Sequence, residues 1–189
     1  NIAIPARLQN GGQSCIAAKR FILESWIAED FVPLLVRRVA ELVMGDPMDE
    51  GTQVGPLVSV NQAREVEDQV KRSVEMGAKL LLGGKRDGAF FQPTILSEVT
   101  PEMPAFREEV FGPVFAIMEA GSPEHALELS NSSKFGLGMQ LFTASDDTAD
   151  LFIHGAEEGA VFVNAMVKSD PRLPFGGIKS SGYGRELSK

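Results

Sequence analysis

The chain has 189 residues, of which 43% are hydrophobic and 23% charged, and its 26 acidic and 18 basic side chains give a net charge of −8. This length and apolar content allow a buried core without a disulfide or metal staple. The acidic balance argues against nucleic acid or a membrane surface as the main partner, and no apolar run reaches the ~18 residues that a membrane span needs. A single cysteine forms no internal disulfide, which favours a reducing, cytoplasmic location.

Near its start the chain has a strand-like segment followed by an amphipathic helix. Residues 19–23 are predicted to form a strand. In residues 29–43, apolar side chains recur at steps of three and four residues, which predicts a helix with one buried face. Gly45 is expected to cap this helix in the left-handed conformation.

The next helix has clear signals at both ends. Ser59 and Gln62 have the spacing of a capping box, so we expect a helix from there to about Met76. Gly77 should end it. Strands are then predicted over residues 79–82, 90–96 and 113–118.

The remaining elements alternate between helix and strand. Ser122 and Ser145 are predicted N-caps of helices reaching residues 131 and 158. Strands are predicted at 138–143 and 159–164, the second one covered on both faces. The strand–helix alternation over residues 113–164 is typical of parallel βαβ units. The predicted fold is therefore α/β, with a mostly parallel twisted sheet flanked by helices.

The segment Asn10-Gly11-Gly12-Gln13-Ser14-Cys15 is the first candidate for chemistry. Paired glycines adopt backbone shapes that other residues forbid. Just before the only cysteine, they predict an exposed thiol on a tight turn, where backbone N–H groups can stabilise a thiolate and an oxyanion. The alternative is that Cys15 is a small buried apolar residue beside Ile16.

The segment Glu108-Glu109-Val110-Phe111-Gly112-Pro113 places two acids at the start of a predicted strand. Carboxylates in such loops accept hydrogen bonds from ribose hydroxyls, and a neighbouring aromatic ring can contact a flat ligand. The alternative is a solvated acidic loop with Phe111 anchored in the core.

Residues 174–186 are rich in glycine, which predicts an irregular loop. Such loops are often functional, although one that only packs two domains or subunits together fits equally well. A metal site is not expected, because neither His125 nor His154 has another ligand at metal-binding spacing.

In this order and at this spacing, the three segments resemble the aldehyde dehydrogenase superfamily. Cys15 lies in its Asn-x-Gly-Gln-x-Cys motif, and Glu109 and Phe111 lie in its Glu-Glu-x-Phe-Gly-Pro motif. Residues 174–186 match its Pro-Phe-Gly-Gly-x-Lys-x-Ser-Gly-x-Gly-Arg-Glu motif. The similarity runs from Ala6 to Leu187, and the motifs together are far more specific than any one alone.

The resemblance implies a role for each of these residues. Cys15 would be the nucleophile that forms a thiohemiacetal and then a thioester with a small aldehyde substrate. Glu109 would bind the ribose of NAD or NADP, and Phe111 would help to place the nicotinamide ring. The parent enzyme would be a homodimer or homotetramer.

The resemblance also implies that residues 1–189 are the catalytic domain of a longer enzyme. In the family, a Rossmann-type domain binds most of the cofactor, and an oxyanion-hole asparagine and a glutamate general base precede the cysteine. All three would lie outside this chain. We therefore expect no steady turnover from the isolated chain.

The substrate is expected to be succinate semialdehyde. Residues 9–13 and 164–173 look most like the bacterial succinate-semialdehyde dehydrogenase branch, although other members of that branch have arginine at the position of Gln9. Ser169 is the expected substrate-binding residue, with Lys168 and Arg172 as cations near it that can pair with a carboxylate. A broad-specificity or CoA-acylating aldehyde dehydrogenase, or a fragment that acts only by association, remains an alternative.

Overall fold

The computed structural model describes residues 2–187, which divide into two compact units, one ending at Glu119 and the other beginning at Ala120. The helices of the first unit are α1 (Ala3–Leu8), α2 (Ser25–Ala40), α3 (Val60–Glu75) and α4 (Pro104–Arg107), with a 3₁₀ turn over Gln9–Gly12. Its strands are β1 (Arg20–Glu24), β2 (Lys79–Leu82), β3 (Arg86–Asp87), β4 (Phe90–Phe91), β5 (Thr94–Ser97) and β6 (Val114–Ala120).

A four-stranded sheet in the order β1-β6-β5-β2 forms the centre of the first unit. Strand β5 pairs parallel with β6 and antiparallel with β2, so the sheet is mixed. Alternate side chains of β6 enter two different apolar clusters, as the period of a strand requires. One cluster includes Val66 and Val70 of α3, and the other includes Leu35 and Val39 of α2. Helices thus cover both faces of the sheet, and the predicted α/β class is confirmed.

The helix caps that depend on local sequence are confirmed. The Ser59 hydroxyl accepts a hydrogen bond from the N–H of Gln62 at 3.1 Å. Ser122 and Ser145 cap the N-termini of their helices in the same way. Gly77 follows α3 with a φ of 113°, a conformation that favours glycine.

The predicted bounds of α2 are wrong at both ends. It begins at Ser25 and ends at Ala40, so Gly45 does not cap it. After the helix, the carbonyl of Val43 accepts hydrogen bonds from the N–H groups of Gln53 and Val54. Residues about ten positions further along the chain therefore hold the segment that follows α2, and no local pattern predicts this pairing.

The second unit contains helices α5 (Pro123–Asn131) and α6 (Asp146–Gly155). Its strands are β7 (Phe135–Gly136), β8 (Met139–Leu141), β9 (Val161–Val163) and β10 (Ile178–Lys179). Strands β8 and β9 pair in parallel on either side of α6 in the sequence, which confirms one predicted βαβ unit.

Three strand predictions are corrected. The predicted unit that joins β6 to β8 is wrong, because β6 lies beside β5 and β1 in the four-stranded sheet while β8 pairs with β9. The strand predicted over residues 90–96 is two strands separated at Pro93, which has no N–H to donate. The side chains of β9 are only partly buried, whereas β5 and β6 are covered on both faces.

Candidate active site

Cys15 is exposed on a tightly bonded turn that follows the 3₁₀ segment. The N–H of Ala17 donates to the carbonyl of Ser14 at 3.1 Å and closes the turn. Upstream, the side chains of Asn10 and Gln13 each donate to the other's carbonyl, at 3.2 and 3.1 Å. The exposed thiol agrees with the predicted presentation of Cys15 and contradicts the buried alternative.

Gly12 brings the Cys15 turn against the segment that contains the two glutamates. Its φ is 80°, and a Cβ at this position would meet the carbonyl carbon and oxygen of Gly112. Glycine is needed here both for the backbone conformation and for the close approach of two main chains.

Substituting Gly12 by alanine should destabilise the fold by about 2–5 kcal/mol, from left-handed strain and a backbone clash together. The matched control is Gly11→Ala. Gly11 also has a positive φ of 64°, but its Cβ would meet only the side chain of Gln13 at an ordinary 3.4 Å. The control should cost about 1–2 kcal/mol. Thermal and urea unfolding measure both, and equal losses would show that the approach to Gly112 is not tight.

The two adjacent glutamates have different surroundings. Glu108 accepts two hydrogen bonds from the guanidinium of Arg72 on α3, at 2.9 and 3.0 Å. Its extended backbone turns the next side chain the other way. Glu109 is 43% exposed, and its Oε1 lies 3.4 Å from the Nζ of Lys19. Glu108 therefore anchors the loop to α3, and Glu109 faces the Cys15 turn.

Lys19 connects the two segments. Its side chain is only 9% exposed. Its Nζ donates to the carbonyls of Ser14, Cys15 and Ala17 at 3.0, 3.1 and 3.2 Å, and it pairs with Glu109. Burial lowers the pKa of Lys19 to about 8, the positive charges of Arg7 and Arg20 act in the same direction, and Glu109 opposes them.

Phe111 lies in the same cluster. The Nζ of Lys19 is 5.4 Å from the centre of its ring, within the range of a cation–π interaction. The Phe111 carbonyl accepts a hydrogen bond from the side-chain amide of Gln62 at 3.2 Å. The structure therefore groups Cys15, Glu109 and Phe111 around Lys19, within the first unit.

Arg7 joins the same two segments through their backbones. It lies on α1 and is completely buried, with 0% exposure. Its guanidinium donates to the carbonyls of Ala18 at 3.2 Å, Val110 at 2.7 Å and Gly112. Burial lowers the pKa of Arg7 to about 9, and the charge of Glu109 opposes that effect. The guanidinium thus holds the Cys15 turn and the glutamate segment together from the interior.

Ser169 belongs to the second unit, where it is exposed in a segment without regular secondary structure. Lys168 and Arg172 are exposed beside it. Arg172 forms two side-chain hydrogen bonds with Asp170, at 2.9 and 2.7 Å, and these bonds lower the pKa of Asp170 to about 2. One of the two predicted cations therefore already has a carboxylate partner.

The glycine-rich segment 174–186 is held within the second unit. Its strand β10 pairs antiparallel with β7. Lys179 donates to the carbonyl of Asn131 at 2.7 Å and pairs with Glu157 at 2.6 Å. These contacts give the segment a structural role inside its own unit.

The sequence does not single out Arg7 and Lys19, although each of them contacts both segments. Both are basic residues next to apolar runs, a pattern that also occurs on ordinary amphipathic surfaces. Their importance comes from burial and from partners distant in the sequence, which the pattern does not show.

Within residues 2–187, no three His, Cys, Asp or Glu side chains are grouped so that they could bind a metal ion. In the same part of the chain, no helix is both long enough and apolar enough to cross a membrane.

Comparison with known proteins identifies the family. Residues 1–189 match the model of the aldehyde dehydrogenase family. A succinate semialdehyde dehydrogenase (NAD(P)+) named Sad from Escherichia coli K12 is 49% identical over 189 residues, which cover 98% of this chain and 41% of that protein. A probable succinate-semialdehyde dehydrogenase (NADP+) from Synechocystis is 44% identical over 191 residues, or 100% of this chain and 42% of that protein.

Comparison with solved structures points to the same family. The crystal structure of succinic semialdehyde dehydrogenase from Streptococcus pyogenes in complex with NADP+ matches with a TM-score of 0.93 at 40% identity, over 98% of this chain and 42% of that chain. Aldehyde dehydrogenase 21 from Physcomitrella patens, in complex with the reaction product succinate, matches with a TM-score of 0.93 at 35% identity. The match covers 97% of this chain and 38% of that chain. The chain thus spans about 40% of the length of these relatives. It belongs to the aldehyde dehydrogenase family.

Proposed function

We propose that residues 1–189 are the catalytic domain of a longer NAD(P)-dependent enzyme that oxidises an aldehyde to a carboxylic acid through a thioester on Cys15. The observation that carries the proposal is that one lysine ammonium contacts both the main-chain carbonyl of Cys15, whose thiol is exposed, and the exposed carboxylate of Glu109. Membership of the aldehyde dehydrogenase family supports it.

Cys15 supplies the nucleophile. Its thiolate attacks the aldehyde carbon and forms a C–S bond, and the carbonyl oxygen becomes an oxyanion. The backbone N–H of Cys15 is the donor from this chain that would stabilise the oxyanion. Loss of hydride from the same carbon leaves a thioester, and water then releases the carboxylic acid and the free thiol. The general base for the water would lie outside this chain.

Glu109 and Phe111 would hold the cofactor. The half-exposed carboxylate of Glu109 is a suitable acceptor for ribose hydroxyls, and the ring of Phe111 beside it offers a flat apolar surface. When bound, the nicotinamide supplies the acceptor for the hydride. Both NAD and NADP remain candidates, because the E. coli relative is named for both and the Synechocystis relative for NADP+.

Changing Glu109 to glutamine in the full-length enzyme should raise the KM for NAD(P) by about 5-fold to 10-fold, because the amide oxygen still accepts a hydrogen bond but no longer carries the charge that strengthens it. Steady-state kinetics with cofactor as the varied substrate measures the effect, and titration of cofactor fluorescence measures binding directly.

The matched control for this change is Glu108→Gln. It removes a charge one residue away that pairs with Arg72 at a partly exposed site, so it should lower stability by about 1 kcal/mol or less and leave the cofactor KM unchanged. Equal increases in KM for the two variants would indicate disruption of the loop and would contradict a ribose contact at Glu109.

The proposed substrate is succinate semialdehyde, with Ser169 as a substrate-binding residue. Support comes from the relatives named for this substrate and from the relative solved with succinate. The exposed Lys168 next to Ser169 offers a cation for the substrate carboxylate. Among the contacts of residues 2–187, none favours the broad-specificity or CoA-acylating alternatives.

The enzyme that contains this chain would act on small molecules in the cytoplasm, as a homodimer or homotetramer. The chain spans only 41% of the E. coli relative, so the isolated chain should lack most of the cofactor site and show no steady turnover.

A further inference from the structure

Lys19 has no part in the chemistry described above, yet it makes more contacts to the Cys15 turn than any other side chain described. Resting on the proposed function, we propose that Lys19 is a positioning residue that orients and polarises the Ser14–Cys15 peptide, so that the N–H of Cys15 is fixed as an oxyanion donor. The inference rests on the geometry of three carbonyls around one ammonium.

Peptide planarity links the lysine to that N–H. In a trans peptide the C=O and N–H groups point in opposite directions, and the described chain has no cis peptide bond. The Ser14 carbonyl belongs to the same peptide as the Cys15 N–H. Because this carbonyl points at the Nζ of Lys19, at 3.0 Å, the Cys15 N–H must point away from the lysine.

The hydrogen bond from Lys19 to the Ser14 carbonyl also makes the Cys15 N–H a stronger hydrogen-bond donor. The Ser14 carbonyl accepts one hydrogen bond from a charged ammonium and another from the N–H of Ala17. Charge-assisted bonds are stronger than neutral ones, and withdrawal of electrons from a carbonyl polarises the N–H of its own peptide. The oxyanion would therefore meet a better donor than an unassisted amide.

Charges around Lys19 hold the ammonium in place and set when it loses its proton. Glu109 faces it across the cluster, Arg7 approaches from α1, and Arg20 lies at the start of β1. Because the pKa of Lys19 is lowered to about 8, the ammonium is charged at neutral pH and neutral in mildly alkaline solution.

The test is Lys19→Met in the full-length enzyme, which keeps the length of the side chain and removes the charge. We expect kcat for aldehyde oxidation to fall by about 10-fold to 100-fold, less than the ~10²–10³-fold loss for complete removal of an oxyanion donor. Alkylation of Cys15 by iodoacetamide forms no oxyanion, so its rate in the cofactor-free enzyme should change by less than about threefold. Mass spectrometry of the labelled peptide measures that rate.

Two results would overturn the inference. If kcat and the alkylation rate fall in parallel, Lys19 supports the thiol or the fold of the turn; if neither falls, Lys19 has no positioning role. A wild-type enzyme without aldehyde-dependent cofactor reduction would instead refute the proposed function, so the two failures are distinguishable.

If Lys19→Met does not fold, a second variant, Lys19→Arg, tests the positioning role of Lys19. Lys19→Arg keeps its positive charge to a higher pH than lysine does at the same position, because a guanidinium loses its proton less readily than an ammonium. The ratio of wild-type kcat to that of Lys19→Arg should fall about 10-fold between roughly pH 7 and pH 10, because only the wild type loses its charge at position 19. Titration of groups that do not interact with position 19 cancels in this ratio, and a flat ratio would overturn the inference.

Discussion

Replacing Cys15 by serine in the full-length enzyme is expected to lower kcat/KM for aldehyde oxidation by at least about 10³-fold. The hydroxyl has a similar size, but it is a far weaker nucleophile than a thiolate without an adjacent base, and its ester is a poorer acyl intermediate than a thioester. The rate of reduced cofactor formation measures the loss. Succinate semialdehyde and butanal, which has the same number of carbons but no carboxylate, should both lose activity, and the wild type should prefer the former.

Controls separate chemistry from folding in this experiment. Cys15 is exposed, so the serine variant should keep the wild-type melting temperature and cofactor affinity. It is also the only cysteine of the chain, and iodoacetamide should no longer label this segment of the variant. A serine variant that kept more than a tenth of the wild-type rate would exclude Cys15 as the nucleophile.

Substituting Arg7 by methionine is expected to lower stability by about 2–4 kcal/mol. Methionine fills much of the volume but leaves the carbonyls of Ala18 and Val110 without the guanidinium, and each buried acceptor left unpaired costs about 1–3 kcal/mol. Removing the cost of burying a charge offsets part of this loss, which is why the expected value is less than the sum. Calorimetry and urea unfolding provide the measurement.

The matched control is Arg37→Met, at an exposed position of α2. A surface substitution of this kind should change stability by less than about 0.5 kcal/mol. An Arg7→Met variant as stable as this control would mean that the loops find other donors for their carbonyls. Activity should fall with stability in the Arg7 variant, because the Cys15 turn and the Glu109 segment lose their common support.

The sequence predicts well the helices whose ends are determined by a few adjacent residues. Helix α3 depends on the Ser59 hydroxyl at one end and on Gly77 at the other, and both effects act within one turn of helix. The start of α5 likewise depends on a local cap, the hydroxyl of Ser122. The pairing of the segment after α2 and the neighbours of β6 involve residues distant in the sequence, so periodicity could not determine them.

In the candidate site, too, the sequence predicts some residues and misses others. The motifs around Cys15 and Glu109 identify residues whose chemistry is specific, and the structure brings them to one lysine. The sequence does not identify that lysine or Arg7 as part of the site, because it does not reveal that a basic side chain is buried among carbonyls. The resemblance assigns a cofactor role to Glu109 alone, and the structure gives the two neighbouring acids different partners, Arg72 for Glu108 and Lys19 for Glu109.

The guanidinium of Arg7 bonds to the carbonyl of Val110, 103 positions later in the sequence. Contacts of such long range carry a large loop-closure entropy and form late in folding. A ribosome also makes the chain from its N-terminus, so Cys15 is synthesised well before the residues that complete its surroundings. Until Gly112 has emerged, the thiol therefore belongs to an open segment, and the nascent protein carries its proposed nucleophile before the surrounding site has formed.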